Sequence, residues 1–452
     1  MTRSVLFFTY EDNNNDDELW YDYAGKFYEV TPAVEPGEGG IYPAYLDSYG
    51  DELIFQGTNA ANVRGMWVSN GTKAGTHQVT GIKGANPAGL DPSYFKTYKT
   101  EVLFDGASGY LGSPIYGLWV TKGTAASTSE LGGAANHEIK NANTSLGLLA
   151  YTKGFTLFYG WAYFDGYDKA GNIGLWRTNG TVAGTTEIQP IVGAFKVGTP
   201  GTDIQPAYMC VVGKEMFFGG EDLQDSQYAL WVTNGSAKGT IEIGGQGNRG
   251  IKNSPYQNAM NLTTGMGPTD ITTYDGKAMF AATDNTIRPN GYYAHTVGLW
   301  TSNGTAGGTI EIGGHGSSQI KNAQTALNGG LLGGVANPDF TVYKNEVLFL
   351  GVDDKSAPGH LELWETNGTV AGTTEIGGIG NAGIAGHPIF SSDNKVPDFT
   401  LFGGEILFTA QSASTDHWGI WETNGTAAGT RLLGYTGPNY EPITDFTLAK
   451  II

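Results

Sequence analysis

The chain has 452 residues, longer than one ordinary domain, with 70 glycines and only 15% charged residues, yet a formal net charge of −19. A surface this acidic repels nucleic acid and anionic lipid, and no basic stripe offsets it. The single cysteine, Cys210, excludes an intrachain disulfide, and no run of about 18 apolar residues is present to cross a membrane as a helix.

In chain order, the first apolar run is Val5–Phe8, too short for a signal-peptide core. An acidic stretch, Glu11 to Glu18, follows and could offer oxygen ligands to Ca²⁺ through Asp12, although it lacks the EF-hand order of ligands. Glu18-Leu19-Trp20-Tyr21 then opens a pattern that returns throughout the chain. Trp67, Trp119, Trp176, Trp231, Trp300, Trp364 and Trp421 each stand three residues before Asn-Gly-Thr, Lys-Gly-Thr or Asn-Gly-Ser, followed by a second Gly-Thr or Ser-Thr. From Trp20 onward the spacings are 47, 52, 57, 55, 69, 64 and 57 residues. Repeats of this size point to propeller blades.

Residues 338–378 show one whole unit. Four apolar runs, Phe340–Tyr343, Glu346–Leu350, Leu361–Thr366 and Thr373–Ile376, have strand length and strand composition. Lys344-Asn345 makes a hairpin between the first two. Asn367 to Gly372 joins the last two, with both glycines expected at positive φ. The second and third runs are apolar on both faces, so like sheets must cover them, as in radially stacked blades. The C-terminal segment, residues 444–452, repeats the first run with nothing after it, whereas the N-terminus begins at the second run. The surplus strand is expected to complete the first blade and remove the free sheet edges.

The expected fold is therefore all-β: one closed propeller domain, 1–452, of four-stranded antiparallel blades. Eight blades are expected, at 1–30 plus 443–452, 43–80, 93–131, 147–188, 206–243, 269–312, 338–376 and 397–433; seven blades with residues 1–30 as an appendage is the alternative.

Glu362-Leu363-Trp364 with Asn367-Gly368-Thr369 and Gly372-Thr373 resembles the repeat of bacterial ELWxxDGT (hyalin-like repeat) proteins. So does Ile420-Trp421 with Asn424-Gly425-Thr426 and Gly429-Thr430. The resemblance covers nearly the whole chain, but Asn replaces the family's Asp and its Ser-x-Pro link is missing. It implies a propeller-like bacterial protein, secreted or on the cell surface, and assigns no activity. With no signal-peptide core, export would take another route, and a cytoplasmic location fits as well.

Short turns join strands 1–2 and 3–4 of each unit. The 2–3 loops and the 4–1 links are long and varied, and both emerge at one end of the blades, where function is expected. There the sequence places Trp161, Tyr163 and Tyr167 with Asp165 and Asp168, then Tyr292, Tyr293 and His295, and Trp418. Aromatic faces beside carboxylates suit sugar rings, so carbohydrate or another small polar ligand is the expected partner. Histidines also gather in these segments without a His-x-x-x-His spacing, which argues against a metal cluster. A carboxylate recurs four residues after the strand-2 Phe, at Asp12, Asp222, Asp284 and Asp353, with Asn59, Ser108, Ala162 and Ser412 in the other blades. These positions read as strand-ending turns or, alternatively, as a rim that holds a cation or serves a hydrolase or lyase. No Gly-x-Ser-x-Gly, Walker loop, dinucleotide fingerprint or Cys-x-x-Cys is present. The expected function is a non-enzymatic, lectin-like binding propeller, with that hydrolase or a structural surface module as alternatives.

Overall fold

The structure is a computed structural model. It describes residues 3–11, 16–23, 26–30, 40–109, 114–143, 145–147, 154–194, 204–222, 226–245, 248–255, 265–284, 297–314, 320–321, 323, 331–332, 338–353, 360–378, 384, 388–391, 399–415, 417–435 and 444–451. The fold is an all-β propeller of eight four-stranded antiparallel blades. No helix among the described residues is long and apolar enough to cross a membrane.

Two compact units are present: Met1–Glu187 with Gly437–Ile452, and Ile188–Thr436. The first holds blades 1 to 4. In blade 1, β1 (Arg3–Glu11) pairs with β2 (Asp17–Tyr23) on one side and with the C-terminal strand β33 (Thr444–Ile451) on the other. β3 (Lys26–Glu29) completes the order β3-β2-β1-β33. The expected closing strand is thus in place, with Arg3 opposite Ile451 and Phe7 opposite Thr447. Blade 2 comprises β4 (Ala44–Tyr49), β5 (Glu52–Thr58), β6 (Arg64–Ser69) and β7 (His77–Gln78). Blade 3 comprises β8 (Ser93–Tyr98), β9 (Glu101–Ser108), β10 (Ile115–Thr121) and β11 (Ser129–Gly132). Blade 4 comprises β12 (Thr156–Phe158), β13 (Trp161–Tyr167), β14 (Ile173–Thr178) and β15 (Thr186–Glu187).

The second unit holds blades 5 to 8 on the same plan. Between blades 7 and 8 lies an additional short strand, β28 (Pro388–Ser391). It pairs with His360 and Leu361 of β26 (His360–Thr366) and with Gln411 and Ser412 of β30 (Glu405–Ser412), and so joins the two blades into one sheet.

The repeated Trp explains the core of each blade. It stands opposite the strand-2 Phe and stacks on it: Phe218 and Trp231 have centroids 6.4 Å apart at 17°, and Phe408 and Trp421 6.4 Å at 15°. The indole N–H of Trp119, Trp176, Trp231, Trp300 and Trp421 donates to the carbonyl two residues beyond that Phe, on Gly106, Gly166, Gly220, Ala282 and Ala410. That residue must be small. A Cβ on Gly220 would sit 3.1 Å from Trp231 Cδ1 and 3.0 Å from Ile204.

The 3–4 turn is a closed set of hydrogen bonds. In blade 4, Asn179 Oδ1 accepts from the amide and hydroxyl of Thr181, at 3.1 and 2.7 Å. Thr181 Oγ1 accepts from Gly184 N, and Thr185 donates to the Thr181 carbonyl. The Thr178 and Thr185 hydroxyls pair at 2.7 Å, both buried. Gly180 takes φ +86°, as expected from Asn-Gly. The second glycine, contrary to expectation, has no positive φ and is needed for space: a Cβ on Gly184 would lie 1.9 Å from Asn179 Oδ1. Replacing Thr178 by Val keeps the shape but strips Thr185 and the Gly180 amide of their partner. A loss of about 1–3 kcal/mol is expected in urea unfolding at unchanged m-value.

Neighbouring blades are tied by the last residue of strand 1. Tyr49 donates to the Thr100 carbonyl at 2.7 Å, Tyr98 to that of Gly160, Tyr274 to that of Asn345, and Tyr343 to that of Gly404 at 2.7 Å. Each acceptor lies in the 1–2 turn of the next blade.

Candidate functional site

Strand 1 begins with a left-handed residue in several blades. Tyr45, Tyr94, Tyr208, Asp270 and Asp339 have φ between +49 and +55°. In β4, β8, β16 (Ala207–Val212) and β20 (Thr269–Tyr274) it sits in a register shift against strand 2. Asp270 and Asp339 use the bend to cap the next blade, accepting from Phe340 N at 2.9 Å and Phe399 N at 3.2 Å. Tyr45 and Tyr94 instead bring their rings together, centroids 5.1 Å apart at 58°. Bulky residues in this region are strained by about 1–3 kcal/mol each, and such strain gathers at functional sites.

Beside Tyr45 the structure opens a cavity of about 560 Å³, lined by Ala44, Tyr45, Gln56, Arg64, Asp91, Ser93 and Tyr116. It lies between blades 2 and 3, at the end carrying the 2–3 loops and 4–1 links. Asp91, itself at φ +44°, organises it. Its Oδ2 accepts from the Tyr116 hydroxyl at 2.5 Å, and its Oδ1 from Gln56 Nε2 at 3.2 Å. Arg64 Nη1 stands 3.6 Å from the same Oδ1. Gln56 also donates to the Pro92 carbonyl at 2.8 Å. Buried Asp105 lies behind Ser93, whose hydroxyl is 3.5 Å from Asp105 Oδ2. Burial, then the Asp91 hydrogen bond and charge, push the Tyr116 phenol up to about 12. Tyr94 is pushed to about 12 by burial and by the neighbouring Tyr45, Asp165 and Asp105. Both phenols stay protonated and able to donate.

The residues singled out from sequence fall elsewhere. The stretch expected as the blade 4 loop is strand β13, preceded by a tight turn at Tyr159-Gly160. Its strand-2 Phe is Phe164, which faces Trp176, so the repeated polar position in this blade is Asp168 rather than Ala162. Tyr163 is 1% exposed and belongs to the core, not to a platform. Asp165 is fully buried. Asp168, also buried, accepts from Ala170 N, Asn172 N and Asn172 Nδ2, which is the strand-ending turn. Asn59 does the same for Ala61 N and Val63 N. Trp161 begins β13 at the short-turn end, and the Arg177 guanidinium covers its ring at 4.5 Å. Tyr167 is half-buried at the end of β13, and Trp418 is 7% exposed. Tyr292, Tyr293, His295 and Asp12 lie outside the described residues. Asp222, Asp284 and Asp353 are buried, and Asp222 and Asp353 form bridges to Ala194 and Ala323 of the preceding links, which removes them from an open rim. Among the described residues no three His, Cys, Asp or Glu side chains converge as a metal site would require. Cys210 is half-buried in β16, and burial pushes its thiol up, away from reactivity.

Elsewhere, burial and then the hydrogen bond and charge of Glu346 push Glu365 up to about 8. A carboxyl raised in the folded state stabilises below its unfolded value of 4.5, and that stability is lost as pH rises to about 8. Urea midpoints should therefore fall from pH 5 to pH 8, and less steeply in Glu365→Gln.

No family model matches the chain, and no curated protein matches it in sequence. Among solved structures it is similar to a puromycin hydrolase S511A mutant complexed with PGG, at 11% identity and TM-score 0.43, over 93% of this chain and 56% of that one. The chain thus spans little more than half the length of that hydrolase. It is also similar to the propeller domain of the Trilobed protease from Pyrococcus furiosus, at 11% identity and TM-score 0.39, over 82% and 93%. Apo AztD from Citrobacter koseri aligns at 10% identity and TM-score 0.44, over 100% and 98%. The propeller assignment rests on the strand pairing above, and these likenesses transfer no activity.

Proposed function

We propose that this chain is a non-enzymatic binding propeller that recognises carbohydrate in the cavity between blades 2 and 3. The supporting observation is the joint placement of a strained, 39% exposed Tyr45 ring and the polar set Gln56, Arg64, Asp91, Ser93 and Tyr116 around one opening. A pyranose stacks its C–H face on an aromatic ring while its hydroxyls meet fixed donors and acceptors, the combination typical of small-ligand sites. The cavity also lies on the variable-loop end, where a rigid scaffold places function. We further propose, from the turn motif, a place among the ELWxxDGT-repeat proteins.

A glycan array, run with and without Ca²⁺, tests the reading. Binding should fall at least about tenfold, the equivalent of one lost interaction of about 1.4 kcal/mol, in Tyr45→Ala and in Arg64→Ala at unchanged melting temperature. Wild-type binding retained in both variants, or product release from a polysaccharide panel, would remove it.

A further inference from the structure

We infer that this cavity takes an uncharged sugar by an adjacent pair of its hydroxyls, held by Arg64 and Gln56 together, in preference to a carboxylated or an amino sugar. The inference rests on the carbohydrate reading of the same site and adds the chemistry that the ligand must present.

The pairing of β5 with β6 sets the two side chains side by side. Thr58 stands opposite Arg64 and Gln56 opposite Met66, so Gln56 and Arg64 are diagonal neighbours on one face of the sheet. Both converge on one atom. Asp91 Oδ1 accepts from Gln56 Nε2 at 3.2 Å and lies 3.6 Å from Arg64 Nη1. Asp91 is itself fixed from blade 3 by the Tyr116 hydroxyl at 2.5 Å.

Donors and acceptors are left over together. Gln56, 6% exposed, gives one amide hydrogen to Asp91 and the other to the Pro92 carbonyl. Both partners are acceptors, so the amide cannot be turned round, and Oε1 accepts nothing among the described residues. Arg64 offers donors alone. At 3.6 Å its contact with Asp91 is an ion pair without a hydrogen bond, and among the described residues its guanidinium N–H groups have no other partner. A fork of N–H groups thus stands beside a fixed acceptor. An ammonium group would serve the acceptor and leave the fork; a carboxylate would serve the fork and leave the acceptor. Adjacent hydroxyls serve both, because each accepts as well as donates: their two oxygens face the fork, and a hydrogen remains for Oε1.

Charge points the same way. The lining holds one cation, Arg64, and one carboxylate, Asp91, in contact with each other. A carboxylated sugar drawn to Arg64 meets Asp91, and an amine drawn to Asp91 meets Arg64, so neither sign gains a net attraction.

Titration calorimetry on the full chain tests this with five probes: cellohexaose, mannohexaose, a glucosamine hexamer, a galacturonate hexamer, and laminarihexaose whose end rings have been opened by periodate and reduced. Every inner ring of the first two carries an adjacent pair of free hydroxyls. The inner rings of laminarihexaose carry none, yet they stay intact and can still stack. Cellohexaose or mannohexaose should bind at least about tenfold more tightly than the other three, with an affinity that rising salt leaves unchanged. Arg64→Lys keeps the charge but loses the fork; it should remove that advantage at an unchanged melting curve. Full binding in Arg64→Lys, or equal binding of the opened laminarihexaose, overturns the hydroxyl pair while the carbohydrate reading stands. Tighter binding of the glucosamine or the galacturonate hexamer overturns the uncharged ligand and also leaves that reading standing. Silence from all five probes overturns both.

Discussion

Removal of residues 443–452 is expected to aggregate the protein or lower its melting temperature by far more than a point substitution does. β33 supplies one of four strands in blade 1 and pairs with β1 from Arg3 to Thr9. Without it the backbone N–H and C=O groups of β1 form an open edge, and an unpaired edge of this length templates intermolecular pairing. The loss should exceed the 4–5 kcal/mol that marks exceptional single changes, as an order of magnitude. Differential scanning calorimetry with light scattering reads it directly. A truncated chain that stays monomeric and melts with the wild type would show that blade 1 does not depend on β33.

Trp231→Ala is expected to cost about 3–5 kcal/mol, the range for deleting a fully buried aromatic. Trp231 is wholly buried, stacks on Phe218 and donates to the Gly220 carbonyl at 3.0 Å. Alanine leaves a large void and removes the indole hydrogen bond to the Gly220 carbonyl, and the Gly220 backbone has no Cβ with which to fill the space. Chemical denaturation should show a reduced midpoint at unchanged m-value. The smaller Trp231→Phe should recover part of the loss, since it restores volume but not the hydrogen bond.

The fold was legible because the turn is local. Trp, Asn-Gly-Thr and the second Gly-Thr lie within about a dozen residues, so one repeat displays the whole device and seven copies confirm it. The closing strand was legible from the ends of the chain for the same reason. The site was not, because its lining comes from five segments: Ala44 and Tyr45, Gln56, Arg64, Asp91 with Ser93, and Tyr116. Only strand pairing brings these together. A signal did exist in Pro43-Ala44-Tyr45, Pro92-Ser93-Tyr94 and Pro206-Ala207-Tyr208. A tyrosine repeated just after a proline marks the left-handed start of strand 1, but the positive φ itself is invisible in sequence. Exposure was the weaker guide. Tyr163 and Trp418 read as loop aromatics because blade 4 was registered on Phe158 rather than Phe164, and because Trp418 opens a strand instead of standing free of it. A shift of six residues carried Asp168 from a strand-ending turn to an apparent ligand.

The ties between blades have an evolutionary consequence. Tyr49, Tyr98, Tyr274 and Tyr343 each reach a main-chain oxygen in the neighbouring hairpin, on Thr100, Gly160, Asn345 and Gly404. A carbonyl is present whatever residue bears it, so the joint asks nothing of the neighbour's side chains. A blade copied by gene duplication would arrive with its tyrosine ready and find an acceptor already waiting. Recipient and donor need no matched mutations, and each copy is then free to diverge in the loops above while the seam below stays intact.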